Sequence, residues 1–204
     1  MTLTIITPNA RPIDGPAYPQ RLRQRLAADA PPLTIRGPVA WLNDADHPII
    51  ALFSSVKAPA KAILQAHEWA QQWRTQPVTI VSGFHSPLEE EVWSVLMQDL
   101  VDFRSSLPDQ DSPRLVKILA RGMMQRFSVQ AEHCIATGTI AFVSPFSAAV
   151  KRPTKATALL RNQTAAALAN SILIAHAEVG SSTAQLVELA EQWTMPMLQM
   201  STSD

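Results

Sequence analysis

Cysteine occurs once in the 204-residue chain, at Cys134, so no internal disulfide can form and no Cys-x-x-Cys pair is present to hold zinc. His-Glu-x-x-His, another zinc signature, is absent as well. The formal net charge is zero, with 17 basic and 17 acidic residues, which argues against strong non-specific attraction to nucleic acid. Long hydrophobic runs are missing too. The longest are broken by Arg161, Asn162 and His176, well short of the ~20 residues that cross a bilayer, so no membrane partner is expected. Met1 to Arg11 has no basic region followed by an apolar stretch, so no secretory signal is visible and a cytoplasmic location is the default expectation. Glycine is scarce, at six residues, and no internal repeat or low-complexity tract stands out.

What is present reads as one globular domain with a full hydrophobic core, since 47% of the residues are hydrophobic and 17% charged. The charge is segregated along the chain. Between Arg114 and Arg161 stand Lys117, Arg121, Arg126, Lys151, Arg152 and Lys155, with Glu132 the one acid. From Glu89 to Asp111 the acids dominate, and Arg104 is the one base. Such segregation suggests one electropositive and one electronegative surface, although solvated helix faces give the same pattern.

Apolar segments alternate with amphipathic ones. Ile49 to Phe53, Val78 to Val81, Leu115 to Leu119, Thr139 to Val143 and Ile172 to Ala177 read as strands, with Met197 to Met200 a short last one. Pro59 to Trp73, Pro87 to Arg104, Met123 to Ala136, Thr154 to Asn170 and Ala184 to Trp193 read as helices, and Ser105 to Pro113 as a polar loop. Near-continuous apolar strands separated by helices imply an α/β, Rossmann-like doubly wound domain, its mostly parallel sheet flanked by helices, from about residue 41 onward. Residues 1–40, rich in Pro and Arg with one short helical candidate between Pro19 and Ala28, read as an N-terminal arm packed on that domain. Gly83, Gly122, Gly138 and Gly180 fall beside predicted strand ends, where a ligand or tight turn needs close backbone approach.

In the most informative stretch Arg161-Asn162 opens a small-residue helix, followed by the apolar strand to His176 and then the loop Gly180-Ser181-Ser182-Thr183. A hydroxyl-rich loop between strand and helix suits an anion, and it equally suits an ordinary helix start with a Ser or Thr cap. Lys151, Arg152, Lys155 and Arg161, with Arg121 at another strand end, suit a phosphodiester track, with Phe146 or Phe84 stacking on a base. Arg161-Asn162 also fits a structural role. Ser86-Pro87-Leu88-Glu89 is a helix start in which Ser caps and Pro takes the first helical position. Glu89, Glu90 and Glu91 meet the positive end of that helix and compete with a phosphate there. His85 fits either a ligand contact or a backbone carbonyl. Of the histidines, His176 faces the predicted ligand edge best. His133 and Cys134, being adjacent, do not easily address one site, and Cys134 reads as a small core residue. No catalytic constellation, cofactor or metal site emerges.

Tyr18-Pro19-Gln20-Arg21-Leu22, then Pro31-Pro32-Leu33 and Arg36-Gly37, are similar to the entry segment of the DNA-processing protein A family, also called DprA or Smf. Ile50-Ala51-Leu52-Phe53-Ser54-Ser55 with Pro59 sits where that family has its Gly-Ser-Arg strand end. Val81-Ser82-Gly83-Phe84 resembles its Ser-Gly turn, and Arg161-Asn162 with Ala167-Leu168 its Arg-Asn helix. The likeness runs from about Tyr18 to Leu198. Phe53 and Ser55 replace the family's Gly and Arg, and His85-Ser86-Pro87-Leu88-Glu89 replaces its Ala-Arg-Gly-Ile-Asp run. With Ser144-Pro145-Phe146, this resembles a divergent branch of the family without the C-terminal winged-helix module.

The resemblance implies a Rossmann-like fold, single-stranded DNA or nucleotide binding, a homodimer, and a recombinase such as RecA as partner. The binding residues expected on this basis are Ser54, Ser55, Lys57, Ser82, Gly83, Phe84, His85, Arg121, Lys151, Arg152, Lys155, Arg161, Asn162, His176 and Gly180 to Thr183. Trp193 and the apolar Met195-Pro196-Met197-Leu198 end motivate the dimer. Two rival functions stand beside this one. A phosphoribohydrolase-like nucleotide-processing enzyme would need paired glutamates where Gln185 and Leu186 stand. A protein-interaction module with a decayed site would fit Phe53 and Ser55.

Overall fold

The computed structural model describes residues 10–102 and 112–198. Eight strands form one sheet in the order β1-β2-β6-β5-β4-β3-β7-β8. They are Arg11–Ile13 (β1), Leu33–Arg36 (β2), Ile49–Ser54 (β3), Thr79–Ser82 (β4), Arg114–Ile118 (β5), Ile140–Ser144 (β6), Ser171–His176 (β7) and Met197–Leu198 (β8). β3 to β8 pair in parallel, whereas β1 with β2 and β2 with β6 pair antiparallel. The mostly parallel α/β architecture expected from the alternating pattern is therefore the one observed. The two antiparallel strands were not legible in the Pro- and Arg-rich opening. β2 alternates buried Leu33 and Ile35 with half-buried Thr34 and Arg36 over four residues, too short a signal to separate from a turn.

Among the described residues six α-helices follow in chain order: Gln20–Leu26 (α1), Ala60–Trp73 (α2), Pro87–Asp102 (α3), Val129–Ala136 (α4), Lys155–Leu168 (α5) and Ser182–Gln192 (α6). Residues of α2, α3 and α4 pack against Leu52, Ile80, Leu115 and Ile140 on one face of the sheet. Residues of α1, α5 and α6 pack against Ala51, Val81, Val116 and Ala141 on the other. Both faces are thus covered, which is why the central strands are apolar at nearly every position. The helix expected over Met123 to Ala136 begins only at Val129, because Ser128 is its cap and accepts from the Ala131 N–H. Most of the loop expected from Ser105 to Pro113, and the last two residues of the strand expected at Met197 to Met200, lie outside the described residues.

Two features of this topology position the functional edge. From β3 the chain winds outward through β4, β5 and β6, then returns through α5 to place β7 on the other side of β3. The loops after β3 and β7 therefore leave toward opposite faces, opening a crevice at their carboxyl ends. α5 can return so close to the sheet because its last turns are small: Ala165, Ala166 and Ala167 are buried.

The carboxyl end of α5 is held from the entry segment. Arg25 Nη1 donates to the carbonyls of Ala169 at 2.5 Å, Ala167 at 3.1 Å and Ala166 at 3.4 Å, and Arg21 Nε donates to Leu168 O at 3.1 Å. Helix-end carbonyls lack intrahelical partners and carry the negative end of the dipole, so two guanidinium groups are the fitting cap. Burial pushes both arginines below their ordinary pKa, and Arg21 lowers Arg25 further. Replacing Arg25 by Met is expected to cost about 1.5–3 kcal/mol, the usual worth of charge-assisted hydrogen bonds. Calorimetry should record a melting temperature lower by roughly 3–10 °C.

Candidate nucleotide-binding cleft

At the crevice between β3 and β7 lies a cavity of about 280 Å³. Ser54, Ser55 and Val56 line it after β3, His85 and Ser86 after β4, and Glu178 with Ser181, Ser182 and Thr183 after β7. Glu89 enters from α3, and Ala158, Arg161 and Asn162 from α5. β7 carries an extra residue here: Phe53 pairs with Ile174 and Ser54 with His176, so Ala175 is bulged out beside the site.

One carboxylate organises the floor. Glu89 accepts from the Ser54 N–H at 3.0 Å through Oε1, and from the His85 N–H at 2.9 Å and the Ser82 hydroxyl at 3.2 Å through Oε2. The helix start around it is as the sequence implied: the Ser86 hydroxyl accepts from the Glu89 N–H, and Pro87 opens α3. The three acids of that first turn diverge. Glu89 is turned inward and is 5% exposed, Glu90 is exposed, and Glu91 pairs with His67 of α2 at 2.7 Å. The Ser54 amide at the end of β3 and the His85 amide in the loop after β4, which in an open crevice would face a ligand, are therefore already occupied by a carboxylate of the protein itself.

The wall on the β7 side is tied by hydroxyls. Ser55 Oγ donates to Ser181 Oγ at 3.1 Å and accepts from the Glu178 N–H at 2.9 Å, while the Ser55 N–H bonds the His176 carbonyl at 2.8 Å. Ser181 is also the cap of α6, accepting from the Ala184 N–H. Of the two readings of Gly180 to Thr183, the helix cap is therefore the one observed, and a capped helix start leaves its other first-turn amides without intrahelical partners.

Arg161 supplies the positive charge. It stands in the middle of α5 and does not open that helix, and it is 8% exposed. Its Nε donates to Asn162 Oδ1 at 2.9 Å, while neither Nη has an acceptor among the described residues. The guanidinium lies on Gly83, where an added Cβ would come within 2.4 Å of Cζ. A Cβ at position 83 would displace the guanidinium, so the glycine lets Arg161 lie directly on the backbone there. Burial lowers the Arg161 pKa from its ordinary value, an effect the Glu89 charge opposes.

Eight of the residues expected from sequence meet at this cleft: Ser54, Ser55, His85, Arg161, Asn162, Ser181, Ser182 and Thr183. Ser82 and Gly83 lie beneath it, through Glu89 and Arg161. His176 contributes its carbonyl. Gly180 adopts a φ of +72° in the turn before α6. Lys57, Lys151, Arg152 and Lys155 are exposed, and Arg121 is half-buried. The Gly122 N–H bonds Val150 O at 2.8 Å, so the loops carrying Arg121 and Lys151 meet beyond β5 and β6. Phe84 departs from the expectation of a stacking ring. It is 2% exposed, at a φ of +45° unusual for a bulky residue, with its ring 4.8 Å from that of Trp93, so it offers no free face to a base. Phe146 lines a separate hollow of about 340 Å³ with Thr34, Arg36 and Met123. Cys134 is fully buried in the core. Among the described residues no group of three or more His, Cys, Asp or Glu side chains is placed to hold a metal.

The inward turn of Glu89 was not legible, although one signal pointed to it: an acid three residues after a cap, directly beyond a strand end. Glu89→Gln would leave three donors facing a side chain with one acceptor. We expect a loss of about 2–4 kcal/mol in urea unfolding, against less than about 0.5 kcal/mol for Glu90→Gln.

Comparison with known proteins agrees with the fold. No curated protein matches the chain at a significant level. The solved structure of DNA processing protein A from Streptococcus pneumoniae superposes with a TM-score of 0.69 at 18% identity, covering 94% of this chain and 62% of that protein. A Helicobacter pylori DNA processing protein A, described by its single-stranded DNA binding mode, superposes with a TM-score of 0.67 at 15% identity, covering 93% and 80%. The chain thus spans less than two thirds of the pneumococcal protein's length. Among the described residues no helix is long and apolar enough to cross a membrane. The family model of DNA recombination-mediator protein A matches residues 10–202, and the chain belongs to that family.

Proposed function

We propose that this chain binds single-stranded DNA along the carboxyl edge of its parallel sheet, taking one nucleotide unit in the cleft between β3 and β7. The observation that carries this reading is Arg161, a buried guanidinium lining the cleft whose two Nη groups have no acceptor among the described residues. A phosphate oxygen is the acceptor such a fork favours. Asn162 beside it, and the amides and hydroxyls of Ser182 and Thr183 at the start of α6, complete a set of donors. Exposed Lys151, Arg152 and Lys155, which lead into α5, extend positive charge away from the cleft as a track for the neighbouring phosphodiesters. The Helicobacter relative's described single-stranded DNA binding supports the same reading.

The role is a non-catalytic one in DNA processing and recombination, in the cytoplasm, with a RecA-type recombinase as the partner the family resemblance implies. A homodimer is part of the proposal. The two-residue edge strand β8 leaves Met197 46% exposed, an apolar edge suited to pairing with a second copy. Light scattering at tens of micromolar should give twice the chain mass, and a monomer there would remove the dimer.

Fluorescence anisotropy of a labelled oligo-dT strand tests the binding reading. With about four phosphate contacts, log affinity should fall with log salt at a slope near ~-2.8. The Lys151, Arg152 and Arg161 triple alanine variant should lose most of that binding. No binding of oligo-dT at low salt would sink the reading and turn the search to free nucleotides or protein partners.

A further inference from the structure

We propose that Lys117 is a further phosphate-binding residue of this edge, acting with Arg161 from opposite sides of the end of β4; the inference rests on the nucleotide-binding reading above. Lys117 interrupts an otherwise apolar run in β5 and lies in register with Ser82, the last residue of β4. Strand alternation puts it on the same face as Leu115, toward α3, whereas Val116 and Ile118 face α5. Arg161 reaches the same point from α5, its guanidinium lying on Gly83, the residue after Ser82. The two cations thus flank Ser82-Gly83 from the two faces of the sheet.

Both have donors to spare. The Lys117 ammonium is 4.8 Å from the Trp93 ring centroid and 6.0 Å from that of Phe84, and no hydrogen bond or ion pair to it exists among the described residues. A ring face attracts the charge but leaves the three N–H donors unfilled. Two carboxylates lie in range without answering this need. Glu89 is already committed to three other donors, and Glu90 is exposed, where water screens it. Burial pushes the Lys117 pKa down from its ordinary value and the nearby Arg161 adds to this, while Glu90 and Glu89 oppose it. A half-buried cation beside a second one is costly for a lysine with a purely structural task, because methionine would fill the same space without the charge. A phosphate, with several acceptor oxygens and negative charge, supplies the acceptors that each of the two groups lacks.

The experiment has two arms. In the first, oligo-dT anisotropy is measured against salt for the wild type, Lys117→Gln and Lys117→Arg. The Gln variant should bind about tenfold more weakly at low salt, with a slope shallower by about 0.7, and the Arg variant should restore the slope. In the second, the wild type carrying 13C-labelled lysine is titrated with inorganic pyrophosphate. With five lysines in the chain, the Lys117 Cε signal is assigned by its loss in the Arg variant, and it should shift saturably. A response in either arm sustains Lys117 as an anion ligand. If oligo-dT binds, but the Gln variant keeps the wild-type slope and pyrophosphate leaves the Lys117 signal unmoved, the role of Lys117 is overturned and the DNA reading stands. The same holds if the Gln variant changes only the melting temperature, which marks a packing role. If oligo-dT fails to bind the wild type while pyrophosphate shifts Lys117, the DNA reading falls and this one survives. Silence in both arms removes both.

Discussion

The carboxyl edge of the sheet depends on where the Ser54 amide at the end of β3 and the His85 amide in the loop after β4 find their acceptor. In a parallel sheet those N–H groups point out of the last turn of pairing with no strand to receive them, and a buried donor left open costs about 1–3 kcal/mol. Here Glu89 answers them, reaching from the first turn of α3 to Ser54, Ser82 and His85. That contact holds three elements in one geometry and turns a generic anion seat into a floor that already carries negative charge.

Much of the remaining site follows from this. With the strand ends occupied, positive charge has to come from side chains, and Arg161 and Lys117 converge on the end of β4 from the two faces of the sheet. Arg161 lies directly on Gly83, and the turn after it holds Phe84 at a positive φ, supported by the bond from its N–H to the Ser82 hydroxyl at 3.0 Å. Strain of this kind persists where surrounding contacts over-determine it, and it gathers at functional sites. On the other wall, Ser55 and Ser181 lock the loops after β3 and β7 together, so the cleft has fixed sides.

The entry segment contributes to the same end from a distance. Its two strands extend the sheet beyond β6, and its helix caps α5 with Arg21 and Arg25. α5 in turn carries Arg161 and Asn162 to the cleft. Membership of the recombination-mediator family is thus expressed less in single matching residues, since the solved relatives are 18% and 15% identical, than in this arrangement of elements.

Apolar periodicity was enough to read the parallel core from the chain. Ile49 to Phe53, Val78 to Val81, Leu115 to Leu119 and Ile172 to Ala177 each mark an observed strand to within a residue or two, because burial on both faces demands a continuous apolar run. Local chemistry was enough for the Ser86-Pro87 helix start, since a cap is made within four residues. Sequence also singled out Arg161, Asn162 and the Ser181 to Thr183 loop by residue type. Only the tertiary structure decided that Glu89 turns inward while Glu90 and Glu91 do not, that Phe84 is sealed in the core, and that the Arg161 guanidinium lies on Gly83. Each of these outcomes depends on neighbours contributed by other elements, up to 78 positions away for Gly83 and Arg161. Spacing along one strand or helix fixes which face a residue lies on, whereas its partners are set by the elements packed over that face.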